Sequence, residues 1–177
     1  MKIGVFYGST TGTTRRIAES IAATLRPTLC ANICDTDPSE LADFDVLVIG
    51  ASTWCCGDLQ HDWDDCFHRL DDLDLRGTRV ALFGTGDQRE FGETFTDAMG
   101  VLYDKLVERG ATGGFGFWPV DDYSFVSSRS QRGREFCGLA IDEENQAHLT
   151  AGRIEAWCVQ LRAEMGLAVG EPLRVAV

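Results

Sequence analysis

Positive charge is scarce in this chain: 16 Lys and Arg stand against 28 Asp and Glu, a net charge of −12 with a pI near 4.5. A phosphate-binding face needs clustered basic residues, so nucleic acid and anionic membrane surfaces are excluded as partners, and basic protein surfaces are favoured. No apolar run approaches the ~20 residues of a membrane span. The first residues run straight into a strand pattern with no signal-peptide layout, so a cytoplasmic protein is expected. The seven cysteines are odd in number and irregular in spacing, which excludes a disulfide framework, and no paired C-x-x-C motifs suggest zinc or an iron–sulfur cluster. His61, His68 and His148 show no ligand spacing, so no metal site is expected. Repeats, low-complexity segments and linkers are also missing.

What remains is an ordinary globular balance, 44% hydrophobic and 25% charged over 177 residues, the size of one domain. Short apolar runs at residues 3–7, 29–34, 46–49 and 80–83 read as strands. Between them, apolar residues recur at helical spacing. Ile17, Ile21 and Leu25 define a helix over 13–25. Trp63, Cys66, Phe67 and Leu70 define one over 61–71. Phe95, Met99, Leu102 and Leu106 define a third, and Leu149, Ile154, Trp157 and Leu161 a last one over 149–165. Residues 114–118 read as a weaker strand because of their glycines. Cys30 and Cys34, inside an apolar stretch, are expected as core thiols.

Continuously apolar strands alternating with helices imply βαβ units and a parallel sheet covered on both faces. Such sheets take ligands beyond the carboxyl ends of their strands. The segments to inspect are therefore 8–14, 51–60 and 84–94. Residues 119–137 break the pattern: they are polar, lack helical period and read as an insertion that splits the fifth strand. The single-domain reading covers residues 1–167, with 168–177 as a loosely ordered tail.

The first segment, Gly8-Ser-Thr-Thr-Gly-Thr-Thr14, follows a strand and opens a helix. It is neither a Walker motif nor G-x-G-x-x-G. Its five hydroxyls and the helix N-terminus can converge on one anion without a Lys or Arg, which suits a terminal phosphate. The plainer reading is a helix N-cap, which needs only one such residue. In the second segment, Ser52-Thr-Trp-Cys-Cys-Gly57, Trp54 can lie against a flat ligand or pack back on the core. In the third, Gly84-Thr-Gly-Asp-Gln-Arg-Glu-Phe91, glycines permit close approach and Phe91 adds a second aromatic face. Together the three suit a flat ring bearing a phosphorylated chain.

In combination and order, Phe6-Tyr-Gly-Ser-Thr-Thr-Gly-Thr-Thr14, Thr53-Trp54 with Gly57, Gly84-Thr-Gly-Asp-Gln88, and Phe136-Cys-Gly-Leu-Ala-Ile-Asp-Glu143 with Asn145-Gln146 resemble a long-chain flavodoxin over residues 2–167. The resemblance implies a three-layer α/β/α fold on a five-stranded parallel sheet of order 2-1-3-4-5, the family's known arrangement with FMN at the switch point. It implies a low-potential one-electron carrier, not an enzyme, working on the semiquinone/hydroquinone couple of non-covalent FMN. Ser9, Thr10, Thr11, Gly12, Thr13 and Thr14 would hold the phosphate. Thr53, Trp54, Cys55, Cys56 and Gly57 would flank one side of the flavin, Thr85, Gly86, Asp87 and Phe91 the other, with Glu144 near the ribityl chain. Acidic residues at 58, 62, 64, 65, 90 and 93 would surround it.

The implied partners are an NAD(P)H-dependent flavodoxin reductase or other low-potential donor and acceptor redox enzymes, nitrogenase being compatible, with the carrier monomeric. The chain departs from the family at Phe91, where Tyr is common, and at Cys55. An FMN-dependent quinone-reductase-like enzyme is the alternative on the same fold. A flavin-free receiver domain is disfavoured, because Gly8-Ser9 and Ser52-Thr53 stand where it needs acidic residues.

Overall fold

A computed structural model describes residues 1–167. The expected tail, 168–177, lies outside the described residues.

Five strands pair in parallel: β1 (Ile3–Tyr7), β2 (Leu29–Asn32), β3 (Val46–Trp54), β5 (Arg79–Thr85) and β9 (Leu139–Ile141). Their spatial order is β2-β1-β3-β5-β9, the order that the family resemblance implies once β5 and β9 are counted as fourth and fifth strands. The short β4 (Asp58–Leu59) pairs antiparallel with the end of β3. Helices α1 (Thr13–Leu25) and α4 (Ala147–Glu164) cover one face, and α2 (His61–Cys66) and α3 (Asp97–Glu108) the other.

The alternation of side chains divides the core between the faces. In β3, Val46 and Val48 join Ile17, Ile21, Trp157 and Leu161 under α1 and α4. Leu47 and Ile49 join Trp63, Met99, Leu102 and Leu106 on the other side. All of these are fully buried, each large aliphatic residue contributing ~1.5–3 kcal/mol. Burial on both faces is why these strands read as unbroken apolar runs.

Several elements differ from the sequence expectation. The expected helix over 61–71 is α-helical only to Cys66 and continues as a 3-10 helix, Phe67–Asp72. β3 runs to Trp54 instead of ending at Ile49, so Ser52, Thr53 and Trp54 are strand residues, not loop. The expected strand at 114–118 does not form, because Gly114 and Gly116 take left-handed φ of 78° and 69°. The upstream part of the fifth strand is instead one bridge, Thr112 to Arg79, and the remainder is β9. Cys30 is half-buried and Cys34 exposed, so neither is a core thiol. Cys137 and Cys158 are, and burial pushes each up to about 12, leaving them protonated and inert.

The segment between these two parts of the fifth strand carries its own small sheet: β6 (Trp118–Pro119), β7 (Gln131–Arg132) and β8 (Glu135–Phe136) in the order β6-β8-β7. It packs Tyr123 and Phe125 on Phe95 and Phe136, with ring centroids 5.2–5.8 Å apart. Its backbone at Arg129 lies on α3 where Gly100 has no side chain; a Cβ there would sit 2.4 Å from the Arg129 carbonyl carbon. Gly100→Ala is therefore expected to lift the insertion and cost about 1–3 kcal/mol, read as a lower urea midpoint. An unchanged midpoint would show that the insertion is not seated there.

Candidate functional site

Three segments leave the sheet at its carboxyl edge and enclose a cavity of about 370 Å³. The first is the turn between β1 and α1. Gly8 donates its N–H to the Gly50 carbonyl at 3.1 Å. A Cβ on Gly8 would lie 2.1 Å from Gln60 Oε1 and 2.7 Å from Trp63, so only glycine fits. Gly12, at φ 91°, is the N-cap of α1 and makes no capping bond of its own. Ser9 Oγ instead accepts the Gly12 and Arg15 N–H groups at 3.2 and 3.3 Å. One hydroxyl thus does the capping.

The remaining hydroxyls have another setting. Thr11, Thr13 and Thr14 line the cavity, and the first-turn N–H groups of α1 lack intrahelical acceptors there. Arg15 and Arg16 are drawn off to Glu19 and Glu143, at 2.8 and 2.5 Å. The cavity lining contains no Lys or Arg among the described residues. Its floor is thus a neutral donor surface at a positive helix end, suited to a small anion.

The second segment is the end of β3, which folds through a tight turn into β4. The Gly57 N–H donates to the Trp54 carbonyl at 3.1 Å, Cys55 takes a strained φ of 44°, and Gly57 sits at φ 102°. Trp54 lines the cavity; its Nε1 donates to Ser52 Oγ at 2.9 Å and its ring meets His61 at 5.3 Å. Thr53 lines the cavity too, while its hydroxyl accepts the Ala98 N–H at 3.1 Å and anchors the start of α3.

The third segment follows β5. Gly86 donates to the Ile141 carbonyl at 3.1 Å. Asp87 Oδ1 accepts the N–H groups of Arg89 and Glu90 at 2.9 Å each and Asn145 Nδ2 at 2.8 Å. Phe91 stands at the rim, 45% exposed, an unfavourable place for a ring that nothing covers. Behind it, buried Gln88 donates its Nε2 to Asp142 at 2.7 Å and accepts the Ser124 N–H at 2.6 Å, which ties the segment to the insertion.

Of the residues expected at the site, Thr11, Thr13, Thr14, Thr53, Trp54, Thr85, Gly86, Asp87, Phe91 and Glu144 are brought together around this cavity. Ser9, Thr10, Gly12 and Gly57 shape the turns beside it without lining it. Cys55 and Cys56, both exposed, line an adjoining cavity of about 590 Å³ with Phe91, Phe125 and Val126. The acids fall differently from expectation. Asp87, Glu90, Glu143 and Glu144 line the site, Glu93 lines only the adjoining cavity, and Asp58, Asp62, Asp64 and Asp65 line neither. Ser52, Gln60, Gln88 and Glu143 were missed. For Gln60 the sequence signal is a polar residue directly ahead of the Trp63 helix, and Gln88 closes the run Gly84-Thr-Gly-Asp-Gln88.

Two of the lining acids, Asp87 and Glu143, are held in the charged form. Burial acts to raise the Asp87 carboxyl, but the Glu90 and Arg89 N–H groups and Asn145 outweigh it and hold it below its ordinary value. Glu143 is likewise lowered, burial being overcome by Arg16 and Thr150. A lowered folded-state pKa stabilises the fold above the unfolded value of ~4, and this stabilisation is lost as pH falls through the folded value. Stability of the apoprotein is expected to decline below about pH 4, and Asp87→Asn to flatten that decline. Urea midpoints between pH 2.5 and pH 6 that run parallel for both proteins would contradict it.

Comparison with known proteins places these features in context. The flavodoxin family profile matches residues 5–157. The flavodoxin of Synechococcus elongatus is 43% identical over 169 residues, covering 94% of this chain and 99% of the relative. Flavodoxin 2 of Escherichia coli is 43% identical, covering 93% of this chain and 97% of its own. Among solved structures, Fusobacterium nucleatum flavodoxin bound to flavin mononucleotide superposes with a TM-score of 0.85 at 32% identity, over 92% of this chain and 98% of that one.

Proposed function

Because this chain belongs to the flavodoxin family, we propose that it carries single electrons on non-covalently bound FMN, held in the cavity at the sheet's carboxyl edge. The observation that carries this reading is the cavity's composition. Its floor is threonine hydroxyls and helix N–H groups without a cation, and its walls include Trp54 and Phe91. A terminal phosphate suits the floor, and a flat aromatic ring suits the walls. Thr11, Thr13 and Thr14 would hold the phosphate, with Ser9, Thr10 and Gly12 shaping their loop. Thr53, Trp54, Cys55, Cys56 and Gly57 would flank one side of the ring. Thr85, Gly86, Asp87 and Phe91 would flank the other, with Glu144 at the connecting chain.

The bound flavin supplies the electron chemistry; the protein supplies orientation and field. Asp87, Glu90, Glu143 and Glu144 line the same cavity and oppose added negative charge on a ligand there. A carboxylate ~10 Å away costs about 1 kcal/mol at an intermediate effective dielectric. That lowers a one-electron potential by roughly 40 mV, less in salt. Held in a lining without Lys or Arg, FMN would supply one-electron chemistry, and these carboxylates would lower the potential at which it takes on negative charge.

The family implies redox partners. The specific reading is an NAD(P)H-dependent flavodoxin reductase or another low-potential donor on one side. Acceptor redox enzymes stand on the other, with nitrogenase compatible. The carrier is read as monomeric and cytoplasmic, and as of the long-chain type, the last supported by the insertion with its own small sheet. Among the described residues no helix is long and apolar enough to cross a membrane. Its surplus of acid selects basic partner surfaces and speeds their encounter.

Potentiometry of the FMN-loaded protein is expected to resolve two one-electron potentials; a single two-electron wave would overturn the carrier reading. Trp54→Ala is expected to raise the lower potential by opening the site to water, and an unchanged value would place Trp54 away from the flavin. Electron-transfer rates with a basic partner should fall as ionic strength rises from 0.01 to 0.5 M, because the steering field is screened; a salt-independent rate would contradict it.

A further inference from the structure

The third segment of the site is drawn against the end of β9. Gly86 donates its N–H to the Ile141 carbonyl at 3.1 Å. Gln88 donates its backbone N–H and its Nε2 to Asp142 Oδ2 at 3.1 and 2.7 Å. Asp87 stands between these two anchors, so its carboxylate is brought close to that of Asp142. Asp142 is fully buried, and Asp87 is half-buried and lines the cavity. An ionised carboxylate only accepts hydrogen bonds, so the two acids have nothing to offer each other. Their charges repel, and burial leaves little solvent to screen that repulsion.

A single side-chain nitrogen fills the gap between them. Asn145 Nδ2 donates to Asp87 Oδ1 at 2.8 Å and lies 2.9 Å from Asp142 Oδ2 and 3.2 Å from Asp142 Oδ1. An amide nitrogen carries two hydrogens, one for each acid. The other hydrogen-bond partners of both carboxylates are backbone N–H groups and the Gln88 amide, all of them neutral. Asn145 is itself fixed by the acid it serves. Its backbone N–H and that of Glu144, another cavity residue, donate to Asp142 Oδ1 at 2.9 and 3.0 Å. We infer that Asn145 is a positioning residue for the flavin: by donating one N–H to Asp87 and the other to Asp142, it lets a cavity carboxylate sit against a buried one and so holds the segment that carries Asp87 and Phe91 in place at the cavity wall.

This inference rests on the FMN reading, and its test has one arm that needs no flavin. Asn145→Ala, Asn145→Asp, Asp87→Asn and the double variant Asp87→Asn with Asn145→Ala are compared with wild type. The two readouts are the urea midpoint of the apoprotein and the dissociation constant for FMN. Asn145→Ala removes the bridge and leaves the two charges unseparated. It is expected to lower the midpoint and to weaken FMN binding at least tenfold. In the Asp87→Asn background the same change should weaken binding less than threefold and leave the midpoint near that of Asp87→Asn, because one of the two charges is gone. Asn145→Asp keeps the size of the side chain but adds a third carboxylate, so it should weaken binding at least as much as Asn145→Ala. An equal loss with and without the Asp87 charge would mean that Asn145 acts by packing alone and would overturn the inference. So would an Asn145→Asp protein that binds FMN as wild type does. Should Asn145→Ala fail to fold, recovery of the fold on adding Asp87→Asn would support the bridge, and no recovery would overturn it. A wild-type protein that binds no FMN would instead sink the FMN reading, while the urea comparison would still decide the bridge.

Discussion

The parallel pairing of β1, β3 and β5 is the constraint from which the site follows. Both faces of this sheet are covered, by α1 and α4 on one side and α2 and α3 on the other. Parallel strands all exit at the same edge, so the segments after β1, β3 and β5 converge with no further instruction. Convergence alone would leave three loose loops. What fixes them is a set of bonds between segments distant in sequence. Gln60 holds the first segment to α2, Thr53 holds the second to α3, and Gln88 with Asp142 holds the third to the end of β9 and to the insertion. Gln60, Gln88 and Asp142 are buried and partnered, so the ties they make resist movement more than a surface contact would.

The same economy of charge runs through the site. Arg15 and Arg16 are the cations nearest the phosphate-facing loop in sequence, yet both are committed to carboxylates, Arg15 to Glu19 on its own helix and Arg16 to Glu143 at the edge of the cavity. The cavity keeps a lining of neutral donors and acids. A site built this way holds an anion by hydrogen bonds rather than by charge neutralisation. It therefore leaves the ligand's charge in place to act on whatever is bound next to it. Acidity that looks like a solubility feature in the composition is, at these four lining positions, part of how the site would set a potential.

Much of the fold was legible because its signals are local. Unbroken apolar runs such as Val46 to Ile49 require burial on both faces, and the recurrence of Ile17, Ile21 and Leu25 requires a helix. The hydroxyl-rich turn was legible for the same reason: its residues are contiguous. Where the reading failed, a non-local partner decided. Ser52 to Trp54 continue β3 because Thr85 and β4 supply hydrogen-bonding partners. Residues 114–118 fail as a strand because Gly114 and Gly116 adopt left-handed angles. Cys34 is exposed because the chain turns into a 3-10 helix after β2.

Periodicity, glycine placement and motif order are properties of neighbouring residues, so the class of fold, the three segments that matter and the family are legible along the chain. Which hydroxyl caps α1, and which acids line the cavity, depends on how distant segments meet in the fold. The fold alone reveals that two buried glutamines, Gln60 and Gln88, hold the segments in place. A glutamine carries no periodic or conformational signature of its own. Its role comes from the donors and acceptors that face it, and these are brought there by strands and helices up to 54 residues away.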